Sequence, residues 1–295
     1  MIDEKLELRV INHEHYPYQS NRRPIQRTHP AVSEHRQTRV GVQGGAVPGV
    51  QLHRVSLSHG LPMGRTAHRC RPERPDKKEI SWQAVYYHFR KWSRDGSFER
   101  VWQHSITSIR TDLDLSWLNL DGSHAIAKKG GESVSYQPRK RAKTSNILPI
   151  TDAKGYILAS TGMVAGHHND AFNLKPHLQA AFKSMKALGI AIAGAYFNAD
   201  SAFDTRNARK VCFNHRVIPN MAENKRNRKT VKRGRKRLFN AEVYKQRFSS
   251  ERTFAWIDKF RALLIRHDRK DVYFLAAHHL VFALINLRHQ LATKA

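Results

Sequence analysis

Apolar residues recur at helical spacing directly after residue 80. One face of the first helix carries Trp82, Val85, Phe89 and Trp92. A second helix with the same kind of face follows the turn dipeptide Asp95-Gly96. This pattern predicts a helical hairpin over residues 80–110.

Apolar runs of strand length follow the hairpin. The first ends at Asp121, and two more, NILPITD and YILASTGMVAG, are joined by a turn at residues 152–155. These three runs predict an antiparallel meander. A helix that ends at Gly189 leads to a buried strand from Ile190 to Phe197, and a further helix and the short strand VIPNM come next. The order of elements predicts an α/β fold.

A third helical pattern spans Asn240 to Ile265. Its apolar positions are Val243, Phe248, Phe254, Ile257, Phe260 and Leu264. On a neighbouring stripe, Tyr244, Arg247 and Glu251 follow at i, i+3 and i+7, so their side chains lean the same way. Taken alone, Arg247 and Glu251 indicate a surface ion pair, and only the acidic positions upstream favour a functional role.

Two aspartates stand at the ends of predicted strands. Asp200 follows the buried strand, and Asp121 precedes Gly122, although Asp-Gly is also an ordinary turn signal. Together with Glu251 they form a candidate acidic cluster. Carboxylate oxygens suit Mg²⁺, and two such ions about 3.5 to 4 Å apart stabilise both the attacking and the leaving oxygens of phosphoryl transfer. The cluster therefore predicts nuclease or strand-transfer chemistry.

The chain resembles bacterial insertion-sequence transposases of the DDE type, in the branch with a Tyr-x2-Arg-x3-Glu signature. Tyr244, Arg247 and Glu251 match that signature, ADSAFDT matches the motif of the second aspartate, and LDGSHAIAKKGGE matches that of the first. The resemblance runs from about residue 80 to residue 289. One departure concerns a lysine seven positions after the glutamate, where this chain has Asp258 followed by Lys259. The role of Lys259 therefore stays open.

The resemblance implies a ribonuclease H-like mixed sheet flanked by helices, preceded by a helical hairpin and an irregular N-terminal segment. It also implies that Asp121, Asp200 and Glu251 are catalytic and hold two Mg²⁺ ions, for which Mn²⁺ can substitute. Tyr244 and Arg247 would orient the DNA end or brace Glu251. The expected reaction is hydrolysis at the terminal inverted repeats of the transposon, followed by strand transfer into target DNA. A homodimer on DNA, in the cytoplasm of a bacterium and associated with its nucleoid, is the expected assembly.

The expected organisation has three parts. Residues 1–79 form an irregular or disordered basic segment, residues 80–110 the hairpin, and residues 111–295 the catalytic domain with a basic insertion at 223–239. The first segment lacks the helical module that recognises transposon ends in similar proteins. Either it is a disordered arm, or it arises from a displaced start or shifted reading frame. Two other functions therefore stay open, a simple metal-dependent DNA nuclease and a catalytically inactive DNA-binding remnant.

The charge of the chain points to a long anionic partner. Its formal net charge is +28 and its pI is about 10.6, which favours nucleic acid over a basic membrane-surface protein. Two basic clusters, beside Asp121 and before the third helix, are the predicted DNA contacts, although such runs are often solvated. They comprise Lys128, Lys129, Arg139, Lys140, Arg141, Lys143, Lys225, Arg226, Arg228, Lys229, Lys232, Arg233, Arg235, Lys236 and Arg237. On the hairpin, Arg90, Lys91, Arg94 and Arg100 either face solvent or contact a DNA backbone.

For several histidines the sequence favours a structural role over metal binding or catalysis. The apolar stretch 272–287 is too short for a membrane span and predicts a buried terminal helix. His278 and His279 fall on different faces of that helix, which favours packing over a shared metal. Similar proteins carry a His-Asp pair near the site, here His168 and Asp170, although capping of the next helix by Asp170 is the stronger expectation. The two cysteines show no zinc or disulfide spacing.

Overall fold

The computed structural model describes residues 70–71, 74–78, 80–223 and 237–294. At its start, strand β1 (Cys70–Arg71) pairs antiparallel with β2 (Arg74–Lys78). The structure thus adds a two-stranded sheet near the end of the segment expected to be irregular. The rest of that expectation lies outside the described residues.

The predicted helical hairpin is confirmed. It consists of α1 (Trp82–Arg94) and α2 (Ser97–Ser108). The amide of Ala84 donates to Ser81 Oγ at 3.2 Å and caps α1, and Gly96, at φ 74°, makes the turn between the helices. The inner face of the hairpin buries Val85, Phe89, Phe98, Trp102 and Ile106. The hairpin thereby becomes part of the protein core.

The central sheet has five strands. In chain order they are β3 (Trp117–Leu120), β7 (Pro149–Thr151), β8 (Ile157–Ser160), β10 (Tyr196–Ala199) and β11 (Ile218–Met221). Their spatial order is β11-β10-β3-β7-β8. The strands β3, β7 and β8 form an antiparallel meander, and β10 and β11 continue the sheet in parallel with β3. This is the mixed sheet that we predicted, with the strand order of a ribonuclease H-like fold.

Both faces of the central sheet are covered. Leu118 and Leu120 on β3 are fully buried, and so is the alternate residue Asn119. On β10, Phe197 and Asn198 are likewise fully buried although they point to opposite faces. Helices α3 (Leu174–Ala187) and α4 (Arg206–Asn214) pack against one another and against β8 and β11, respectively. Such double coverage explains why successive residues of these strands are buried, and not only alternate ones.

A second sheet is formed by strands that precede and follow those of the meander in the chain. It contains β4 (Ser123–Ala127), β5 (Ser135–Gln137), β6 (Ala142–Ile147), β9 (Val164–Ala165) and β12 (Ile265–Arg266). We predicted one strand in each of the segments NILPITD and YILASTGMVAG. The predicted extent of both strands is wrong. Each is divided between the two sheets, because the chain bends at Leu148 and at residues 161–163.

The segment after residue 237 is also more broken than its apolar pattern predicts. In place of one helix over 240–265 there are α5 (Ala241–Lys245), a 3₁₀ turn at Gln246–Phe248, α6 (Ser249–Ile257) and α7 (Arg261–Leu264). Phe248 and Leu264, which we predicted to be buried, are exposed. The apolar positions are spaced by three to six residues, which is not a strictly helical period.

The long helix α8 (Asp271–Lys294) ends the described chain. It lies against α1, α2 and β8. His278 and His279 are buried in this packing, as predicted: the His278 ring contacts the carbonyl oxygen of Phe274 at 2.9 Å, and His279 stacks on Trp102 with ring centroids 5.0 Å apart. In the part of the chain that the structure describes, no helix is long and apolar enough to cross a membrane.

Candidate active site

Asp121 and Asp200 directly follow neighbouring parallel strands. Leu120 of β3 pairs with Ala199 of β10, so the two aspartates occupy the next position of the same register. Strands in a sheet lie about 4.8 Å apart. Asp121 Oδ1 accepts a hydrogen bond from the amide of Gly122 at 2.8 Å, and Asp200 Oδ1 accepts one from the amide of Ser201 at 2.6 Å. The two carboxyl groups are thus fixed at one edge of the sheet.

The electrostatics of Asp121 show that the two carboxyl groups interact. Burial raises the pKa of Asp121, whereas the Gly122 amide and the Arg247 charge lower it. The negative charge of Asp200 raises it further. Asp121 is two-thirds buried, with 33% of its side chain exposed, whereas Asp200 is exposed. A site with two interacting carboxylates and partial access to solvent favours a bound cation.

Arg247 and Tyr244 lie beside this pair. Arg247 Nη1 donates to Asp121 Oδ2 at 3.0 Å, and its guanidinium carbon lies 5.9 Å from the centre of the Tyr244 ring. Burial raises the pKa of the Tyr244 hydroxyl, and the charges of Asp200 and Asp121 act in the same direction. The structure therefore brings together four of the five predicted site residues.

Glu251 is the residue that the structure does not bring to this group. It is exposed on the first turn of α6. Between Arg247 and Glu251 the chain passes from a 3₁₀ turn (Gln246–Phe248) into α6. The spacing of the two residues is therefore not that of one continuous α-helix. Among the described residues, no three His, Cys, Asp or Glu side chains are grouped so that they could hold a metal ion.

Three buried asparagines form a ladder across the sheet beneath the aspartates. Asn119, Asn198 and Asn220 are aligned in the register of β3, β10 and β11, and at most 1% of each is exposed. Asn198 Nδ2 donates to Asn119 Oδ1 at 3.0 Å, and Asn220 Nδ2 donates to Asn198 Oδ1 at 2.8 Å. This amide ladder fixes the alignment of the strands that carry Asp121 and Asp200.

The amide ladder also anchors the segment that carries Tyr244 and Arg247. Asn119 Nδ2 donates to Ser249 Oγ at 3.0 Å. Asn198 Nδ2 also donates to the carbonyl of Val243 at 3.2 Å, and Asn220 Nδ2 donates to the carbonyl of Asn240 at 3.0 Å. Every described hydrogen bond of the ladder thus crosses between strands or joins the sheet to this segment.

Sequence reasoning missed the amide ladder, although a signal for it exists. Both strands end in Asn-x-Asp, as Asn119-Leu120-Asp121 and Asn198-Ala199-Asp200. Residues two apart on a strand share a face, so each asparagine lies on the same face as its aspartate. A repeated amide inside a buried strand requires partners, because a buried polar group without them is unfavourable.

A comparison with protein families finds one match. Residues 120–286, more than half of the chain, match the family described as DDE superfamily endonuclease. The chain belongs to this family. The matched region contains Asp121, Asp200 and Glu251.

Solved structures are similar only at a low level. A Mos1 transposase paired-end complex with the left transposon end is 11% identical, with 85% of this chain and 82% of that chain covered and a TM-score of 0.28. A Mos1 mariner paired-end complex with Mn is 12% identical, with the same coverages and a TM-score of 0.27. A pre-cleavage Mos1 transpososome is 11% identical, with 85% and 81% covered and a TM-score of 0.28. No curated protein matches the chain.

A histidine close to Asp121 in the chain, His124, has a partner that we did not predict. His124 Nε2 lies 3.4 Å from Asp170 Oδ1, which also accepts a hydrogen bond from Asn146 Nδ2 at 2.8 Å. The hydrogen bond with His124 is the main cause that lowers the pKa of Asp170. We predicted that Asp170 caps the next helix, and this prediction is wrong, because α3 begins at Leu174. His168 instead stacks on Phe172, with ring centroids 3.5 Å apart.

The basic residues named in the sequence analysis have different environments. Those beside Asp121 are all exposed, on or next to β4, β5 and β6: Lys128, Lys129, Arg139, Lys140, Arg141 and Lys143. From the second cluster, Arg237 forms ion pairs with Asp204 and Glu223 inside the protein. Lys259 is exposed and lies 5.1 Å from the centre of the Trp256 ring. The remaining predicted contacts, from Lys225 to Lys236, lie outside the described residues.

Proposed function

We propose that the chain is a DNA transposase, which hydrolyses phosphodiester bonds at the ends of a transposable element and transfers the resulting 3′ end into target DNA. The observation that carries the proposal is the pair of Asp121 and Asp200 at adjacent positions of parallel strands, next to Arg247. Both reactions are in-line phosphoryl transfers. They use the same groups in succession.

The two aspartates fit a divalent metal ion, which endonucleases of this superfamily typically use. Burial and, to a smaller extent, the negative charge of Asp200 raise the pKa of Asp121, and a bound cation relieves the repulsion between the two carboxylates. Mg²⁺ commonly takes one or two carboxylates and completes its shell with water and phosphate oxygens. We propose Asp121 and Asp200 as its ligands, with Glu251 as a ligand for a second ion and with Mn²⁺ as a substitute. Such ions activate water and stabilise the leaving oxygen.

The other residues of the site position the DNA in this proposal. Arg247 has a planar guanidinium, suited to phosphate, and its contacts with Asp121 and Tyr244 hold it at the site. Ser249 accepts a hydrogen bond from Asn119 and so attaches the first turn of α6, which also carries Glu251, to β3. In this proposal Glu251 reaches the second ion only when metal and DNA are bound.

Charge supports DNA as the partner. The chain has a net charge of +28, and six exposed lysines and arginines surround the strands that follow Asp121. They would contact phosphates and place the scissile bond at the aspartates. We also propose a homodimer on DNA, because two ends of one element have to be cut, and a location at the bacterial nucleoid.

Cleavage of a DNA fragment that carries the element's own ends tests the proposal. With Mg²⁺ present, the wild-type chain should release a 3′ hydroxyl end and join it to a second DNA. Asp200→Ala should abolish both reactions. Glu242→Ala, which removes an exposed carboxylate on α5, should retain them. Cleavage without joining would identify a simple nuclease, and equal DNA binding by wild type and Asp200→Ala without any cleavage would identify a DNA-binding remnant.

A further inference from the structure

The outer face of α1 carries a group of cations. Tyr87, Arg90, Lys91 and Arg94 follow at i, i+3, i+4 and i+7, so they share one side of the helix. With Asp95 they line an open groove of about 510 Å³. Tyr87 is 64% exposed. We call the first four residues the α1 basic face.

Aromatic rings hold the two arginines in place. Arg90 Nε donates to the hydroxyl of Tyr273 on α8 at 3.2 Å. Its guanidinium carbon lies 5.8 Å from the centre of the Tyr86 ring and 6.0 Å from that of Tyr273, and the guanidinium carbon of Arg94 lies 5.8 Å from the latter. Side chains that are already ordered lose less conformational entropy when they bind a ligand. The face is therefore preorganised for an anion.

The positive charge of this face is compensated only in part within the described residues, since the charge of Lys91 acts on Asp95. None of the ion pairs between described residues involves Arg90, Lys91 or Arg94. Asp95, the nearest carboxylate in the groove, pairs with Arg100 at 3.8 Å and accepts hydrogen bonds from the amide and hydroxyl of Ser97. Three adjacent cations repel one another, and an external anion removes that repulsion.

The dimensions of the face match a nucleic-acid backbone. From Tyr87 to Arg94 the helix rises by about 10 Å at about 1.5 Å per residue. One DNA strand carries a phosphate about every 3.4 Å along the helix axis, so this length faces roughly three phosphates. Guanidinium groups bind phosphate with two parallel hydrogen bonds, and the Tyr87 hydroxyl is a further donor.

A membrane surface fits the face less well. Helices that bind membranes insert an apolar face between lipids. In α1 that face, with Val85 and Phe89, is buried in the protein core. The phosphodiester backbone of a nucleic acid therefore fits the α1 basic face better than a membrane surface does.

We propose that the α1 basic face binds the phosphate backbone of duplex DNA, as a contact surface separate from the candidate active site. The inference does not depend on the reaction proposed above, because it concerns binding that needs neither metal nor cleavage.

Binding of the full chain to a DNA duplex of arbitrary sequence, in EDTA and over a series of salt concentrations, tests this proposal. The variant Arg90→Gln/Lys91→Gln/Arg94→Gln should bind about tenfold more weakly or worse at low salt. The slope of log affinity against log salt should fall by up to about 3, since each lost phosphate contact removes about 0.9. The control, Lys175→Gln/Lys183→Gln/Lys186→Gln, removes the same charge from exposed positions of α3 and should change affinity and slope much less.

Equal losses in the two triple variants, or no loss in the α1 variant, would overturn the proposal. If the α1 triple variant does not fold, Lys91→Glu replaces it, since the ring contacts described above involve the arginines and not Lys91. It should weaken DNA binding clearly more than Lys183→Glu does. An effect on vesicles of anionic lipid with none on DNA would also contradict the proposal.

Discussion

Arg247 donates a hydrogen bond to Asp121 across 3.0 Å and thereby places a fixed positive charge at the carboxylate pair. About a third of the Asp121 side chain and a quarter of the Arg247 side chain are exposed, so solvent screens this contact only in part. A divalent cation held by Asp121 and Asp200 has to share Asp121 with this guanidinium. The relationship makes Arg247 a competitor of the metal as well as a candidate ligand of phosphate.

Removal of Arg247 should therefore strengthen metal binding in the absence of DNA. We expect Arg247→Ala to bind Mn²⁺ about five- to tenfold more tightly, which is about 1 kcal/mol for a nearby like charge under partial screening. Isothermal titration calorimetry measures the affinity. Arg252→Ala, at an exposed position of α6, is the matched control and should leave it unchanged. Weaker binding in Arg247→Ala would show that the guanidinium orders the aspartates more than it repels the metal.

Glu251 should matter for cleavage but not for folding. Its side chain is exposed, and surface substitutions generally change stability by less than about 0.5 kcal/mol. We expect Glu251→Gln to unfold in urea like the wild type and to lose Mg²⁺-dependent DNA cleavage. Glu242→Gln should retain both the stability of the wild type in urea and Mg²⁺-dependent DNA cleavage. If Glu251→Gln cleaves normally, the third carboxylate of the proposed site is a different residue.

The amide ladder should be a large contributor to stability. Asn198→Leu keeps the number and branching of the side-chain heavy atoms but leaves Asn119 Oδ1 and the Val243 carbonyl without their described donor in a buried environment. Each buried acceptor that loses its donor destabilises the folded protein by about 1 to 3 kcal/mol. We therefore expect the free energy of unfolding to fall by about 3 kcal/mol. Urea denaturation measures it, with Asn214→Leu at an exposed position as the control. Similar losses in both variants would mean that the ladder rearranges without penalty.

Sequence reasoning located the two aspartates because apolar runs have clear ends. The runs before Asp121 and Asp200 are rich in apolar residues, because both faces of the sheet are covered, and each stops at the carboxylate. The positions of the two aspartates at strand ends therefore follow from local pattern. The parallel pairing of β3 and β10 that brings these ends together does not.

Other features depend on tertiary contacts that no local pattern contains. The bend at Leu148 divides one apolar run between two sheets, and nothing in NILPITD marks it except Pro149. The 3₁₀ turn at Gln246–Phe248 places the apolar Phe248 in solvent, against its pattern. The asparagines of the amide ladder are poor strand formers in isolation and are stabilised by one another across three strands.

The buried histidines of α8 should make the protein sensitive to acid. Burial lowers the pKa of His278 to about 4 and that of His279 to about 3, and the charge of His278 adds to the second effect. In the unfolded chain both titrate near 6.5. Between about pH 4 and 6.5 the unfolded state therefore binds protons that the folded state does not, so each histidine lowers the free energy of unfolding as pH falls. Above about pH 7 neither contributes to the pH dependence.

His279→Phe isolates one of these contributions. Phenylalanine can still stack on Trp102 but does not titrate. Relative to the wild type, we expect the variant to lose less stability on acidification, by about 1.4 kcal/mol per pH unit between about pH 4 and 6. The comparison of two proteins matters because burial raises the pKa of Asp152 to about 6, which acts in the opposite direction in the same window. Urea denaturation at a series of pH values measures the difference, and His104→Gln, at an exposed position of α2, should follow the wild type. Parallel curves for His279→Phe and the wild type would show that His279 is charged, or accessible to protons, in the folded protein.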